Sequence, residues 1–330
     1  MSVRDQDRAR VGPAQPGRVL VTGGGGLIGS HLTERLLAAG REVLVVDDFS
    51  TSSRANLAGV ADHPRLQVLE HDVSAPLPGE VGAGIDQIYH LACPASPVHY
   101  QRSPVQTMKT CVQGSINLLE LARRTGASIL LSSTSEVYGD PAVHPQDETY
   151  WGNVNPIGAR SCYDEGKRCA EALFFSYHRE HDVAIKVARI FNTYGPNLQP
   201  DDGRVISSFV ARALHNEPLP VFGDGSQTRS FCYVDDLVDG LVRLMNTSRE
   251  VTGPVNLGNP EEHTMLELAK LVIDIVGSDA GIEHHPLPQD DPRRRRPTID
   301  LARAVLGWEP STSLPDGLEA TVARFRARAS

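Results

Sequence analysis

The chain has 330 residues, 41 acidic against 32 basic, for a net charge of -9, with 40% hydrophobic and 22% charged residues. That length supports a substantial core, and the acidic balance argues against a general nucleic-acid binder, which carries a basic excess. Its five cysteines, Cys93, Cys111, Cys162, Cys169 and Cys232, form no CxxC pair, so no metal site or disulfide framework is expected and a reducing cytoplasm is the natural setting; nor does any apolar run approach the ~20 residues of a membrane span. Residues 1–17 are rich in Arg, Asp, Pro and Gly, lack the apolar stretch of a signal peptide, and read as a disordered lead-in. A short apolar strand is predicted at Arg18–Thr22, then an amphipathic helix over Leu27–Ala39 stopped by Gly40. Strands follow at Glu42–Asp47, Leu66–Glu70 and Gln87–Leu91, a long helix over Pro104–Arg124, a strand at Ser128–Ser132, a second long helix over Arg160–Glu180 and a strand at Ala184–Ile190. After Phe191 the rhythm loosens, with helices near Val205–Asn216, Val234–Met245, Met265–Val276 and Leu314–Arg326 among loops rich in Gly, Pro and Asp.

Strands alternating with helices mean a parallel sheet covered on both faces. The expected fold is α/β, a Rossmann-type doubly wound parallel sheet with a smaller C-terminal substrate-binding domain. Residues 18–191, with returning elements at about 228–260, would form the NAD-binding domain, and 192–227 with 261–330 the substrate domain.

The first strand runs into Thr22-Gly-Gly-Gly-Gly-Leu-Ile-Gly29 and then a helix. Gly23, Gly26 and Gly29 have the spacing for a tight turn, a close approach of backbone to a pyrophosphate and close helix–strand packing, while the helix N-terminus offers N–H groups to the phosphates. Asp47, ending the second strand, is placed to accept hydrogen bonds from the adenosine ribose and to repel a 2′-phosphate, which favours NAD over NADP. Asp72, after the third strand, lies either near the adenine or in a solvated loop. Tyr163 and Lys167 stand one turn apart on a predicted helix, hence on one face. A protonated Lys beside a phenol favours the phenolate, and such a Tyr can take a proton from a sugar hydroxyl during hydride transfer. The pair follows Ser132-Ser-Thr-Ser-Glu-Val-Tyr-Gly139 at the ligand-binding end of the fifth strand. There Thr134 reads as a hydrogen-bond partner of substrate or Tyr163, or as a turn cap. Glu136 reads as a second acid/base or orienting group, or as a solvated acid.

At this point the chain resembles the extended short-chain dehydrogenase/reductases, and within them the UDP-glucuronate decarboxylases. The segments that carry the resemblance are His90–Pro97, Ser133–Gly139, Tyr150–Gly158, Arg160–Lys167, Arg189–Pro196, Asp202–Val205, Gln227–Phe231 and Asp290–Pro297. Thr134-Ser135-Glu136 discriminates best, because related 4,6-dehydratases show Thr-Asp-Glu, their Asp protonating the leaving water, and 4-epimerases usually lack the Glu. The resemblance implies oxidation at C4 of glucuronate with Tyr163 as base and Lys167 in support. Carbon dioxide is then lost from the β-keto acid, C5 is protonated, and hydride returns to C4 from a cofactor that stays bound. It implies active-site roles for Thr134, Ser135, Glu136 and Arg295 beside Tyr163 and Lys167. NAD contacts would come from Leu27, Ile28, Asp48, Phe49, Ser50, Thr51, Asp72, Val73, Leu91 and Lys109 as well as the glycines and Asp47. UDP-glucuronate and UDP-xylose would be held by Ala95, Ser96, Tyr100, Glu136, Arg160, Asn192, Arg204, Val205, Arg229 and Arg295. Asp48 and Asn197 depart from the family's usual Asn and Arg. The resemblance also implies a homodimer through the two long helices, with no nucleic-acid or membrane partner.

Overall fold

Side-chain alternation along the strands places two cores on one sheet. In Arg18–Thr22 (β1), Val19 and Val21 join one hydrophobic cluster and Leu20 the other; in Glu42–Asp47 (β2), Val43 and Val45 join the first, Leu44 and Val46 the second. Leu66–Glu70 (β3), Ile85–His90 (β4), Ser128–Thr134 (β5), Ile185–Ile190 (β6) and Val255–Leu257 (β7) complete the sheet. Strands apolar on both faces have to be covered on both, which is the condition of a buried parallel sheet. This computed structural model describes residues 17–286 and 294–329. The predicted lead-in, apart from Gly17, lies outside the described residues, as do residues 287–293, where the Asp290–Pro297 segment begins.

Every pairing in the sheet is parallel and the order is β7-β6-β5-β4-β1-β2-β3. The chain runs outward from β1 to β3, then returns to the far side of β1 with β4. That reversal opens a crevice at the C-terminal strand ends between β1 and β4. Leu27–Ala38 (α1) links β1 to β2, and Ser161–His181 (α2) leads into β6. The long helix expected over 104–124 is instead Pro104–Lys109 and Ser115–Thr125 joined by a π turn, Thr110–Gly114. Hydroxyls flank the turn: Thr110 donates to the Gln106 carbonyl at 3.0 Å and Ser115 to that of Cys111. Such back-bonding competes with the backbone ladder, and π turns gather at functional sites.

Beyond β6 the elements are smaller. Leu219–Phe222 pairs with Ile282–His285, and Thr228–Ser230 lies between Glu262–Thr264 and Arg294–Arg295. Helix Met265–Val276 opens on a Thr264/Glu267 capping box and stops at left-handed Gly277. The three-stranded sheet matters most for the site. Arg295 pairs with Arg229, and Gln146 bonds backbone to backbone with Arg296 and Thr298. Together these contacts bring a residue far along the chain over the end of β5.

Candidate active site

In the turn between β1 and α1, backbone atoms stand where a side chain would go at Gly23 and Gly29. Gly23 has a φ of +74°, and a Cβ there would stand 2.8 Å from the Ala92 nitrogen; a Cβ on Gly29 would lie 2.1 Å from the Gly23 carbonyl oxygen. At Gly26 the nearest atom to such a Cβ is that carbonyl at 3.3 Å, so the protein leaves this side of the turn open. Gly26 caps α1 without a side-chain hydrogen bond, and the first turn carries no acid. The leading N–H groups and positive dipole end are thus free for an anion, as a pyrophosphate requires. Asp47, buried at the end of β2, accepts from the Gly25 and Phe49 N–H groups and the Ser52 hydroxyl, each at 2.8 Å. A carboxylate has about four acceptor positions, so it holds the turn and keeps capacity for a ribose hydroxyl. The nearby cation, Arg54, is committed to Glu70 at 2.6 Å and lies over the Phe49 ring. The crevice running from this turn encloses about 1580 Å³ including its open mouth. Its wall takes in the glycine turn at one end, Tyr163 and Lys167 at the centre, and Asn192 and Arg204 beyond them.

At the end of β5 the chain turns sharply after Thr134, and α2 brings Tyr163 and Lys167 to the same spot, both buried. Lys167 donates to the Ser132 carbonyl at 2.8 Å, and its ammonium lies 5.9 Å from the Tyr163 ring centre. The depression of the phenol expected from Lys167 is not what the chain alone produces. Burial pushes the Tyr163 phenol well above its ordinary value, Cys93 adds to the rise, and a hydrogen bond from Thr134 opposes it. Behind β5, Ser133 donates to Glu171, which grips Arg189 at 2.8 Å, and Arg189 donates to the Tyr138 hydroxyl at 3.1 Å. His90, enclosed beside Lys167, is pushed down to about 3 by burial and by that ammonium, so it is neutral, with Nδ1 3.0 Å from the Thr22 hydroxyl.

Glu136 sits between two arginines. Arg160 donates to it at 2.7 Å, and Arg295 grips it through both terminal nitrogens. Burial alone would raise this carboxyl, but Arg295 and then Arg160 outweigh it and hold Glu136 below the usual carboxylate range. Tyr100 stacks on Tyr163 with ring centres 5.1 Å apart and planes 5° from parallel, and its buried hydroxyl has no hydrogen-bond partner. It is thus a buried polar group without a partner, stacked directly against the Tyr163 phenol. Asp164, next along α2, is raised to about 7 by burial and by Glu136, against Arg160 and Arg295. Its Oδ1 is buried and unpaired.

Most of the residues singled out by the sequence meet in this crevice. Gly23, Gly26, Leu27, Ile28, Gly29, Asp47, Asp48, Ser50, Thr51, Asp72, Val73 and Leu91 line its cofactor end, and Thr134, Ser135, Glu136, Tyr163 and Lys167 its centre. Ala95, Ser96, Asn192 and Arg204 line the rest; Ser96 donates to the Asp202 carbonyl, and Arg204 pairs with Asp202. Asp72 is engaged with the Ser74 N–H and the Gln106 amide. Tyr100, Arg160 and Arg295 stand one layer back, against Tyr163 and Glu136. Phe49, Lys109, Val205 and Arg229 are not on the wall: Phe49 is turned toward Arg54, Lys109 is exposed, Val205 opens a helix and Arg229 donates to the Thr228 carbonyl. Sequence reasoning missed Asp164, Asn56 and Gln199. Asp164 carried one available signal, an acid adjoining the Tyr of a Tyr–Lys pair, whereas the amides carried none.

A phosphate-cradling glycine turn, an acid ending the second strand and a Tyr–Lys pair at the crevice centre define a dinucleotide-dependent enzyme of the short-chain dehydrogenase/reductase class. The chain belongs to the NAD dependent epimerase/dehydratase family, whose model matches residues 19–258. It is 58% identical over 311 residues to UDP-glucuronic acid decarboxylase 2 of Arabidopsis thaliana, covering 94% of this chain and 68% of that one. It is 56% identical over 312 residues to decarboxylase 6 of the same plant, covering 94% and 89%. The solved UDP-glucuronic acid 4-epimerase of Bacillus cereus, in complex with UDP-glucuronic acid and NAD, superposes with a TM-score of 0.85 at 28% identity, covering 94% of this chain and 99% of that one. The cofactor is NAD, and the open cradle at Gly26 and the spare capacity of Asp47 fit it. When bound, it supplies a hydride acceptor bearing positive charge.

Proposed function

We propose that this chain converts UDP-glucuronate to UDP-xylose and carbon dioxide through a 4-keto sugar. Tyr163 takes the C4 hydroxyl proton, Thr134 holds the phenol oxygen and Lys167 supplies positive charge behind it. With C4 a ketone, the C6 carboxylate is β to a carbonyl. Losing carbon dioxide leaves an enolate whose charge rests on the C4 oxygen; protonation at C5 restores the ketone, and Tyr163 returns its proton to the C4 oxygen as that ketone is reduced.

One observation carries this reading: Ser135 stands beside a Glu136 that two arginines hold ionised. A permanently ionised Glu136 is a poor donor to a leaving hydroxyl, and Ser135 is no acid at all, so loss of water from C6 is unsupported. Guanidinium groups at the same place suit a substrate already carrying a carboxylate at C6. The test is incubation of the purified chain, with its NAD, with UDP-glucuronate, UDP-glucose and dTDP-glucose. Carbon dioxide and UDP-xylose should form from the first alone; turnover of only the neutral sugars would replace the reading with a 4-epimerase or 4,6-dehydratase.

Residues 18–191 with about 228–260 would hold NAD, and 192–227 with 261–330 the UDP-sugar. A homodimer is also part of the proposal. Trp151 (88% exposed) and Ile157 (91%) precede α2, and Val105 (70%) lies on a helix packed against it, exposed apolar side chains that a second copy would cover. Among the described residues no helix is long and apolar enough to cross a membrane. The free thiols suit a reducing compartment such as the cytoplasm.

A further inference from the structure

Two thiols meet at the wall of the crevice. The sulfurs of Cys93 and Cys111 are 3.2 Å apart and unbonded. Cys93 follows β4 and lines the crevice, where a small solute reaches it; Cys111 is 2% exposed behind it, in the π turn. A disulfide needs about 2.05 Å between sulfurs, so the pair has to close by about 1.2 Å. The hydrogen bond from Cys111, with Lys167 adding to it against burial, holds the Cys93 thiol below its usual range and so favours the reactive thiolate.

The contact extends to the reacting groups. A Cβ on Gly166 would stand 3.0 Å from both the Cβ and the Sγ of Cys111, so α2 rests directly on this thiol through a residue without a side chain. Gly166 adjoins Lys167 and lies on the helical turn that follows Tyr163. Movement of Cys111 is therefore passed to the turn that carries both.

We propose that Cys93 and Cys111 form a reversible disulfide when hydrogen peroxide enters the crevice, and that closing the bridge disables the Tyr163–Lys167 site. The Cys93 thiolate attacks one peroxide oxygen; the O–O bond breaks, leaving a sulfenic acid and, after proton uptake, one water. Cys111 then attacks that sulfur; the S–S bond forms, the S–O bond breaks, and the hydroxyl departs with the Cys111 proton as a second water. Each sulfur gives up one electron and the peroxide is reduced to two waters. A dithiol reductant reverses the bridge.

The test uses the full chain with its NAD, in a Cys169→Ser background that removes the exposed thiol. Limited hydrogen peroxide should join the peptides containing Cys93 and Cys111 and lower turnover by about 100-fold, the scale of an ångström-sized misplacement. Dithiothreitol should restore both. Cys111→Ser should resist the same treatment; should that variant not fold, the linked peptides in the parent decide. The inference is overturned if peroxide inactivates without joining these peptides, if the joined form turns over normally, or if dithiothreitol does not restore activity. The turnover arm rests on the decarboxylase reading and the peptide arm does not, so the two failures are distinguishable.

Discussion

At the scale of residues, Tyr163 carries the proposed proton transfer and Asp164 beside it has no assigned part. Tyr163→Phe removes the proton acceptor but keeps the ring that stacks on Tyr100. Turnover should fall by roughly 10² to 10⁴-fold while NAD remains bound after gel filtration, checked by absorbance of the extracted nucleotide; an unaffected rate would take Tyr163 out of the mechanism. Asp164 offers a separate reading by pH. Burial raises its carboxyl from 3.8 to about 7, so folding favours the protonated form. The stability tied to that form is fully present below pH ~4, the unfolded value, and is lost as pH rises through about 7. Asp164→Asn stays neutral throughout, so its melting temperature relative to the unmodified chain should rise between pH 5 and pH 8. A constant offset across that range would mean that Asp164 is not protonated in the folded protein.

At the scale of elements, the cofactor turn depends on two surfaces touching. Gly29 lets α1 lie on the Gly23 carbonyl, and a methyl there would stand 2.1 Å from that oxygen. Gly29→Ala should cost about 1–3 kcal/mol of stability, the usual range for overpacking, while Gly26→Ala, whose Cβ would enter the open cradle, should cost less stability and weaken NAD binding. Thermal melts and NAD titration of the two variants test the contrast. The turn was legible in advance because glycine spacing, a strand before it and a helix after it are all local. The π turn at Thr110–Gly114 was not, because its apolar pattern is that of an ordinary helix and the back-bonding of hydroxyls does not register in periodicity.

At the scale of the whole molecule, the proposed second copy covers the apolar side chains around α2. Ile157→Asp places a charge on a residue 91% exposed, so the folded protomer should survive with little change in its melt. Light scattering should then show a dimer for the unmodified chain and, for the variant, a dimer dissociation constant raised at least about tenfold. A monomeric unmodified chain at working concentration would remove the dimer from the reading.

Three things were determined by the sequence itself: the parallel α/β fold, the NAD turn and the Tyr163–Lys167 pair, since each rests on contacts between near neighbours or on strand and helix periodicity. The expectation that Lys167 favours the phenolate was also a near-neighbour argument, and burial, which no local pattern encodes, acts against it. Only the tertiary structure decided what Glu136 does. Arg160 approaches it from α2 and Arg295 from far along the chain, carried there by the pairing of Arg294–Arg295 with Thr228–Ser230 and by the backbone bonds of Gln146. That role depends on desolvation and on contacts distant along the chain, which exist only once the sheet and its smaller partner have closed around the crevice.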